Sequence, residues 1–320
     1  MIWLKRIAIF IISIIAIPVI ATYLFWTPTP QESNYQLVKT WGTKGRQTGQ
    51  FNEPTGIAIY KNEIFVSDSR NSRIQVFDVD GNFKRLVDTE GKGQLKRPMN
   101  LSTANNELYV ADFFSDQIKI YDLNGKFKRA IGKSGSNEGE FSAPGGVTVN
   151  SAGELFVADF FNQRIQQLKA DGEFIQQWGQ TGTVGMLDGK LNYPTDVAIN
   201  KENILYIADG YNDRILAYDQ NGLLLYKWGG PFAMNIFGPF NGWFATVTGL
   251  AIGPKGNIFV ADFYNDRVQK FTSDGDFLNA FGLKTTNATH TAIAVAIAND
   301  GSVFVADYAN HQIQKWQLKK

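Results

Sequence analysis

One motif returns six times along this 320-residue chain, and it leaves few folds open. An apolar run ends in aspartate, turns, and resumes as a second strand-like run: IFVSDSRNSRIQVFDVDG, LYVADFFSDQIKIYDLNG, LFVADFFNQRIQQLKADG, LYIADGYNDRILAYDQNG, IFVADFYNDRVQKFTSDG and VFVADYANHQIQKWQL. The motif aspartates are Asp68, Asp112, Asp159, Asp209, Asp262 and Asp307, separated by 44, 47, 50, 53 and 45 residues. A period of roughly 40–50 residues is that of a four-stranded propeller blade, which buries its faces only by stacking on neighbours. Each unit divides into four short strands. A GIAIY-like strand lies near the axis, the apolar run follows, then RIQVFD-like and FIQQWG-like strands. The second strands are apolar almost throughout, as required when both faces of a sheet are covered. Between third and fourth strands stand Asp80-Gly81, Asn124-Gly125, Asp171-Gly172, Asn221-Gly222 and Asp274-Gly275. Such pairs accept the positive φ of a tight hairpin.

The sixth unit stops after its third strand, while residues 36–42, QLVKTWG, read like the outer strands FIQQWG and LYKWG. This N-terminal strand is therefore expected to complete the last blade, which pairs both ends and leaves no open sheet edge. The expected fold is all-β: a six-bladed propeller of four-stranded blades over residues 36–320, after a linker at 27–35 and one N-terminal transmembrane helix within 1–26. The P-x-G-(I/V)-A-(I/V) start, the (F/Y)-V-A-D-x-x-N-x-R-(I/V)-Q centre and the D-G-x-F finish resemble the NHL repeat family across residues 36–320. That resemblance implies a propeller. It leaves the role open, because NHL propellers serve as protein, RNA and ligand binders and occasionally as lyases.

Residues 7–26, IAIFIISIIAIPVIATYLFW, are twenty positions without a charge. As a helix they would rise about 30 Å, the thickness of a bilayer's hydrocarbon core. Lys5 and Arg6 precede them, which keeps the N-terminus cytoplasmic and exports the rest, and Tyr23 and Trp26 suit the far interface. The expectation is a single-pass protein with its propeller in the periplasm or extracellular space. Cleavage after Ala21, as in a signal peptide, is the alternative, and either exports the propeller. The polar, Pro-containing linker 27–35 leads straight into the closing strand. A net charge of +1 argues against nucleic acid as a partner. The absence of cysteine removes disulfides, thiol catalysis and cysteine-bound metal.

A ring of six aspartates invites a metal reading. The preferred one is structural: each aspartate ends a strand and caps the following turn through its backbone. Arg73, Arg164, Arg214 and Arg267 are expected to pair with these or neighbouring aspartates, while Gln117 and Gln312 replace arginine in units two and six. The turns themselves carry Phe113, Phe114, Phe160, Phe161, Tyr211, Phe263, Tyr264 and Tyr308, which would form an aromatic arc around the channel mouth. Exposed aromatic clusters mark interaction surfaces, whereas rings laid sideways merely pack adjacent turns. The long loop 229–247, GGPFAMNIFGPFNGWFATV, adds Phe237, Phe240 and Trp243 to that face, as a lid, a partner patch or a lipid contact.

At the mouth ends of the innermost strands align Gly56, Asn100, Gly146, Asp196, Gly249 and Ala294. Gluconolactonase-like propellers hold a divalent cation there with Glu, Asn and Asp, and Asn100 and Asp196 match only part of such a set. Streptogramin lyase, which resembles this repeat family, uses a histidine base. By that resemblance His290, with Asp196 nearby, is the catalytic candidate, and His311 reads as a solvated turn residue. Amidating-lyase propellers hold zinc with several histidines, and the two histidines here do not supply that set. No cofactor is expected. A tethered module binding a membrane or periplasmic protein ranks above a lyase or lactonase.

Overall fold

The computed structural model describes residues 27–87, 91–282 and 292–319. The apolar stretch 7–26 and His290 lie outside them. Among the described residues no helix is long and apolar enough to cross a membrane.

Six four-stranded antiparallel sheets form the blades of one ring. Blade one runs Pro54–Tyr60, Glu63–Asp68, Arg73–Asp78 and Phe83–Leu86, from the axis outward. Blade six takes three strands from the C-terminal side, Ala292–Ile297, Val303–Asp307 and Gln312–Leu318. Its outer strand is Tyr35–Trp41, one residue earlier than the sequence suggests, paired antiparallel from Tyr35 opposite Leu318 to Trp41 opposite Ile313. Trp41 wedges between Phe304 of this blade and Phe77 of blade one, with ring centroids 6.1 Å from each. The seam is filled by Phe51, Ile57, Ile64 and Val66 against Ala294, Ala296 and Ala306.

The burial of each strand follows its position. Second strands such as Leu205–Asp209 and Ile258–Asp262 are buried from end to end, because both of their faces meet a neighbouring blade. Outer strands such as Phe174–Gly179 alternate, with one face in solvent. Near the axis the strands approach too closely for most side chains. A Cβ on Gly56 would lie 2.2 Å from the Met99 carbonyl oxygen. Small residues at these positions are thus a requirement of ring geometry.

Each motif aspartate sits at the centre of a buried network, and its role differs from turn capping. In blades one, two, four and five it makes no side-chain cap to its own turn. Instead it reaches back to the loop that enters the blade. Asp68 accepts from the Asn52 N–H at 2.7 Å, and Asp159 from Ser142, Asp209 from Asn192 and Asp262 from Ala245 do the same. Among the described residues only Asp307 accepts a backbone N–H of its own turn, that of Asn310. The other carboxylate oxygen receives the Nε of Arg73, Arg164, Arg214 or Arg267 of the same blade at 2.7–2.8 Å. Asn71, Asn162, Asn212 and Asn265 bridge each aspartate to a carbonyl further up the same loop. Blade two keeps its charge pair by another route: Gln117 leaves Asp112, and Lys119 supplies the cation at 3.1 Å. Blade six has only amides, from Gln312 and Gln314.

A candidate binding face at the channel mouth

The turns after the aspartates and the loops entering the blades lie at the same end of the ring, since Pro54 pairs with Asp68 and Pro194 with Asp209. In four blades the residue four places after the aspartate accepts a backbone N–H from the loop of the next blade. Asp116, Gln163 and Asp213 accept the backbone N–H of Ala143, Tyr193 and Thr246 at 2.6–2.7 Å. His311 does the same across the ring seam: its Nδ1 accepts the Glu53 N–H at 3.1 Å. It is therefore not the solvated residue expected, and burial, helped by Lys44, lowers its proton affinity. The four donors all have left-handed φ, between 50° and 59°. Such backbone costs a non-glycine residue about 1–2 kcal/mol and persists only where neighbours hold it. The mouth is mounted on a rigid rim.

On that rim the expected aromatics join into two runs, one from Phe114 to Tyr211 and one from Tyr264 to Tyr308. Phe113 meets Phe114, Phe160 and Phe161 at centroid distances of 5.5–6.0 Å. Phe160 meets Tyr193 at 4.9 Å, and Tyr193 meets Tyr211 at 5.2 Å. Burial, then the neighbouring Tyr264 and Tyr193 phenols, raises the Tyr211 hydroxyl above its ordinary value. Phe263 packs on Tyr264 and on Tyr308. Charged residues connect the second run to the first: Tyr308 bonds to Glu53, Glu53 pairs with Arg70 and Arg97, and Arg97 lies over Phe114. The rings divide into two groups by exposure. Phe113, Phe160, Phe263 and Tyr308 lie sideways and half buried, while Phe114, Phe161, Tyr211 and Tyr264 stand about half exposed.

Tyr193, Glu53 and Arg97 belong to this rim and escaped the sequence reading. Their common signal is position: each immediately precedes the proline that opens an innermost strand. Blade four has Gly210 where its neighbours have an aromatic, and a Cβ there would lie 2.7 Å from Thr195 Cγ2 and 2.9 Å from the Tyr193 carbonyl oxygen.

The loop 229–247 splits into two parts. From Gly238 onward it repeats the entry loop of other blades: Gly238 N–H donates to Phe244 O as Gly45 does to Phe51 and Gly135 to Phe141, each at 3.0 Å. Phe244 is wholly buried, and Phe240 packs on Trp243 at 5.0 Å, both half buried. The remainder, residues 230–237, is inserted where blade one has only Thr43 and Lys44. It carries Phe232 and Phe237, 65% and 72% exposed, and the exposed Met234 and Ile236.

Below the rim, Asn100 and Asp196 do come together, lining a channel cavity of about 240 Å³. Asp196 is only 6% exposed. It accepts from the Leu250 N–H at 2.9 Å and from the Asn100 amide, while Asn100 also donates to the Thr248 carbonyl. A Cβ on Gly146 would sit 2.2 Å from the Asp196 carboxylate. Burial lifts this carboxyl to about 7. Among the described residues no three His, Asp or Glu side chains are grouped to hold a metal ion.

Fold and repeats together define the class: this is an NHL-repeat six-bladed β-propeller. Residues 51–77, 244–271 and 291–316 match the NHL repeat, and residues 94–179 match a family described as 6-bladed beta-propeller. Two curated relatives, Protein brain tumor of Drosophila melanogaster and B-box type zinc finger protein ncl-1 of Caenorhabditis elegans, are 49% identical over 45 residues. That stretch is 14% of this chain and only 4% and 5% of theirs. Among solved structures, a streptogramin B lyase is similar with a TM-score of 0.62 at 17% identity, covering 89% of this chain and 98% of that one. The virginiamycin B lyase of Staphylococcus aureus gives 0.59 at 15% identity, covering 89% and 100%. The WD40 propeller domain of Doa1 gives 0.62 at 12%, covering 90% and 98%. At such identities the likeness is one of fold.

Proposed function

We propose that this chain is a tethered, exported propeller that binds a protein partner through its aromatic mouth, without turnover and without a cofactor. The carrying observation is the two runs of rings, Phe114 to Tyr211 and Tyr264 to Tyr308, whose outer members expose large apolar faces on a rim already held rigid. Rigid aromatic anchors lose little side-chain freedom on binding and dominate the energy of protein interfaces. The Glu53–Arg97 sector adds a charged rim position for orientation. The tether rests on the uncharged run 7–26 behind Lys5 and Arg6.

The test is affinity purification of the full chain from detergent-solubilised membranes, comparing the parent with a Phe161→Ser, Tyr211→Ser variant by quantitative mass spectrometry. Both side chains are about half exposed, so the fold should survive the change. At least one partner recovered with the parent should be lost from the variant. An identical set of partners from both would sink the assignment of this face.

One observation favours a lyase or lactonase instead. Asp196, a carboxyl near neutral pKa, lines the channel, as a general base would. Its oxygens are engaged with Leu250 and Asn100, however, which is the arrangement of a structural plug. Metal analysis of the purified chain, with turnover assays of Asp196→Asn and His290→Ala, separates the two readings. A stoichiometric divalent ion, or turnover abolished in a folded variant, would favour the enzyme.

A further inference from the structure

The linker ahead of the closing strand is not loose. It runs along the outside of blade five, fixed at each step. Asn279 Nδ2 donates to Ser33 O at 2.6 Å, Lys270 pairs with Glu32 at 2.6 Å, and Gln31 N–H donates to Leu278 O at 2.8 Å. At its far end Asn241 Nδ2 donates to Pro28 O at 3.0 Å. The Pro28 ring lies against Gly242, where an added Cβ would be 3.3 Å from it. The chain is thus led to the loop carrying the insert 230–237. One residue, Thr27, separates Pro28 from Trp26, the end of the uncharged run, so two steps of chain reach about 7 Å at most.

The insert does not stand alone. The entry loop of blade four is also longer than that of blade one, and it exposes Val184, Met186 and Leu187. Arg214 joins the two loops, since its Nη1 donates to Met186 O at 2.5 Å and to Ala233 O at 3.3 Å. Seven large apolar side chains, including Phe232, Met234, Ile236 and Phe237, therefore crowd one corner of the ring. Apolar patches of this kind on a soluble domain mark contact sites. The residues before Gly185 and before Gly238 are additions to the common loop, while Met186 and Leu187 stand within its common part, ahead of Leu191, which fills the core as Phe244 does.

We propose that this corner docks on the lipid surface beside the point where residues 7–26 enter the bilayer, so that the propeller is held at two places and in one orientation. The proposal rests on the tether reading above. A bilayer is the occupant that position selects: an uncharged twenty-residue run ends within about 7 Å of Pro28, which lines one cavity with Gly230 and Phe232 of the insert. The patch has the make-up of an interfacial anchor, with two phenylalanines and aliphatic side chains that gain free energy in proportion to the area taken from water. Of the charges around it, buried Arg214 pairs with Asp209 and Lys227 with Asp188, each at 2.8 Å.

The chain has no cysteine, so single cysteines can be labelled cleanly. Full-length protein is reconstituted into phosphatidylcholine–phosphatidylglycerol liposomes carrying quencher lipids. A polarity-sensitive dye is placed in separate preparations at Phe237→Cys, Leu187→Cys, Ile14→Cys and Ser151→Cys, the last an exposed turn at the opposite end of the ring. Dye at 237 and 187 should be quenched by the lipid at least twofold more than at 151. Quenching at 14 with none at 237 or 187 overturns the docking and leaves the tether standing. No quenching at 14 overturns the tether reading itself. A blue shift at 237 without lipid quenching, growing with protein density, assigns the patch to a second copy and also overturns the proposal.

Discussion

Asp196 shows how one residue can carry a pH dependence. In the unfolded chain its carboxyl ionises near 3.8, and in the ring near 7 because burial disfavours the charge. Between those values the unfolded state has released a proton that the folded state retains. Stability therefore falls as pH rises from about 4 to about 7, by a few kcal/mol if the full shift is expressed. Asn at this position can still accept from Leu250 and cannot ionise. The urea midpoint of Asp196→Asn, measured against the parent, should thus move in the variant's favour between about pH 4 and pH 7. A difference that ignores pH would remove this explanation. The motif aspartates teach a different lesson about reading residues. Their structural role was legible from the D-x-x-N-x-R spacing, since Asp209, Asn212 and Arg214 lie close in sequence. Their backbone partners, such as Asn192 for Asp209, stand 17 residues upstream in loops of unequal length, where no local pattern marks them.

At the level of elements, the entry loops separate what the fold needs from what this chain has added. Gly238 to Val247 reproduces the loop of other blades and delivers Phe244 to the core, while 230–237 makes few demands on it. Replacing 230–237 by Thr-Lys, as in blade one, should leave the thermal midpoint within a few degrees of the parent. Phe244→Ala in the same loop should cost about 3–5 kcal/mol, because a wholly buried ring leaves a cavity. Differential scanning calorimetry of the two variants checks the division, and a collapse of the first would show the insert to be structural. The long apolar loop was visible in the sequence. Its split was marked there too, since G-P-F-N-G-W-F shares both glycines and the final phenylalanine with G-R-Q-T-G-Q-F, but the apolar residues between them hid that spacing. The rim aromatics were likewise visible, but their order around the mouth depends on Tyr193, which sits outside the repeated motif.

The ring as a whole depends on Tyr35–Trp41. Without that strand, blade six would present Gln312–Leu318 as a bare edge, and exposed edges recruit other strands. A chain lacking residues 35–41 should associate with rising concentration in light scattering. A synthetic peptide of residues 34–42 added during refolding should restore the monomer, and a monodisperse truncated chain would contradict this view of closure. The closing strand was legible because its sequence matches other outer strands, whereas the docked linker, joining Pro28 to Asn241, has no repeat to betray it. The closure also imposes an order in time. The two strands that complete blade six are made at opposite ends of the described chain, so the earlier one must wait, unpaired, while five blades are synthesised. Contacts so distant along the chain form slowly. Any polypeptide interrupted in between would keep both a stray strand and an open edge, which makes the sixth blade a test of completeness that unfinished chains fail in full view of proteases and chaperones.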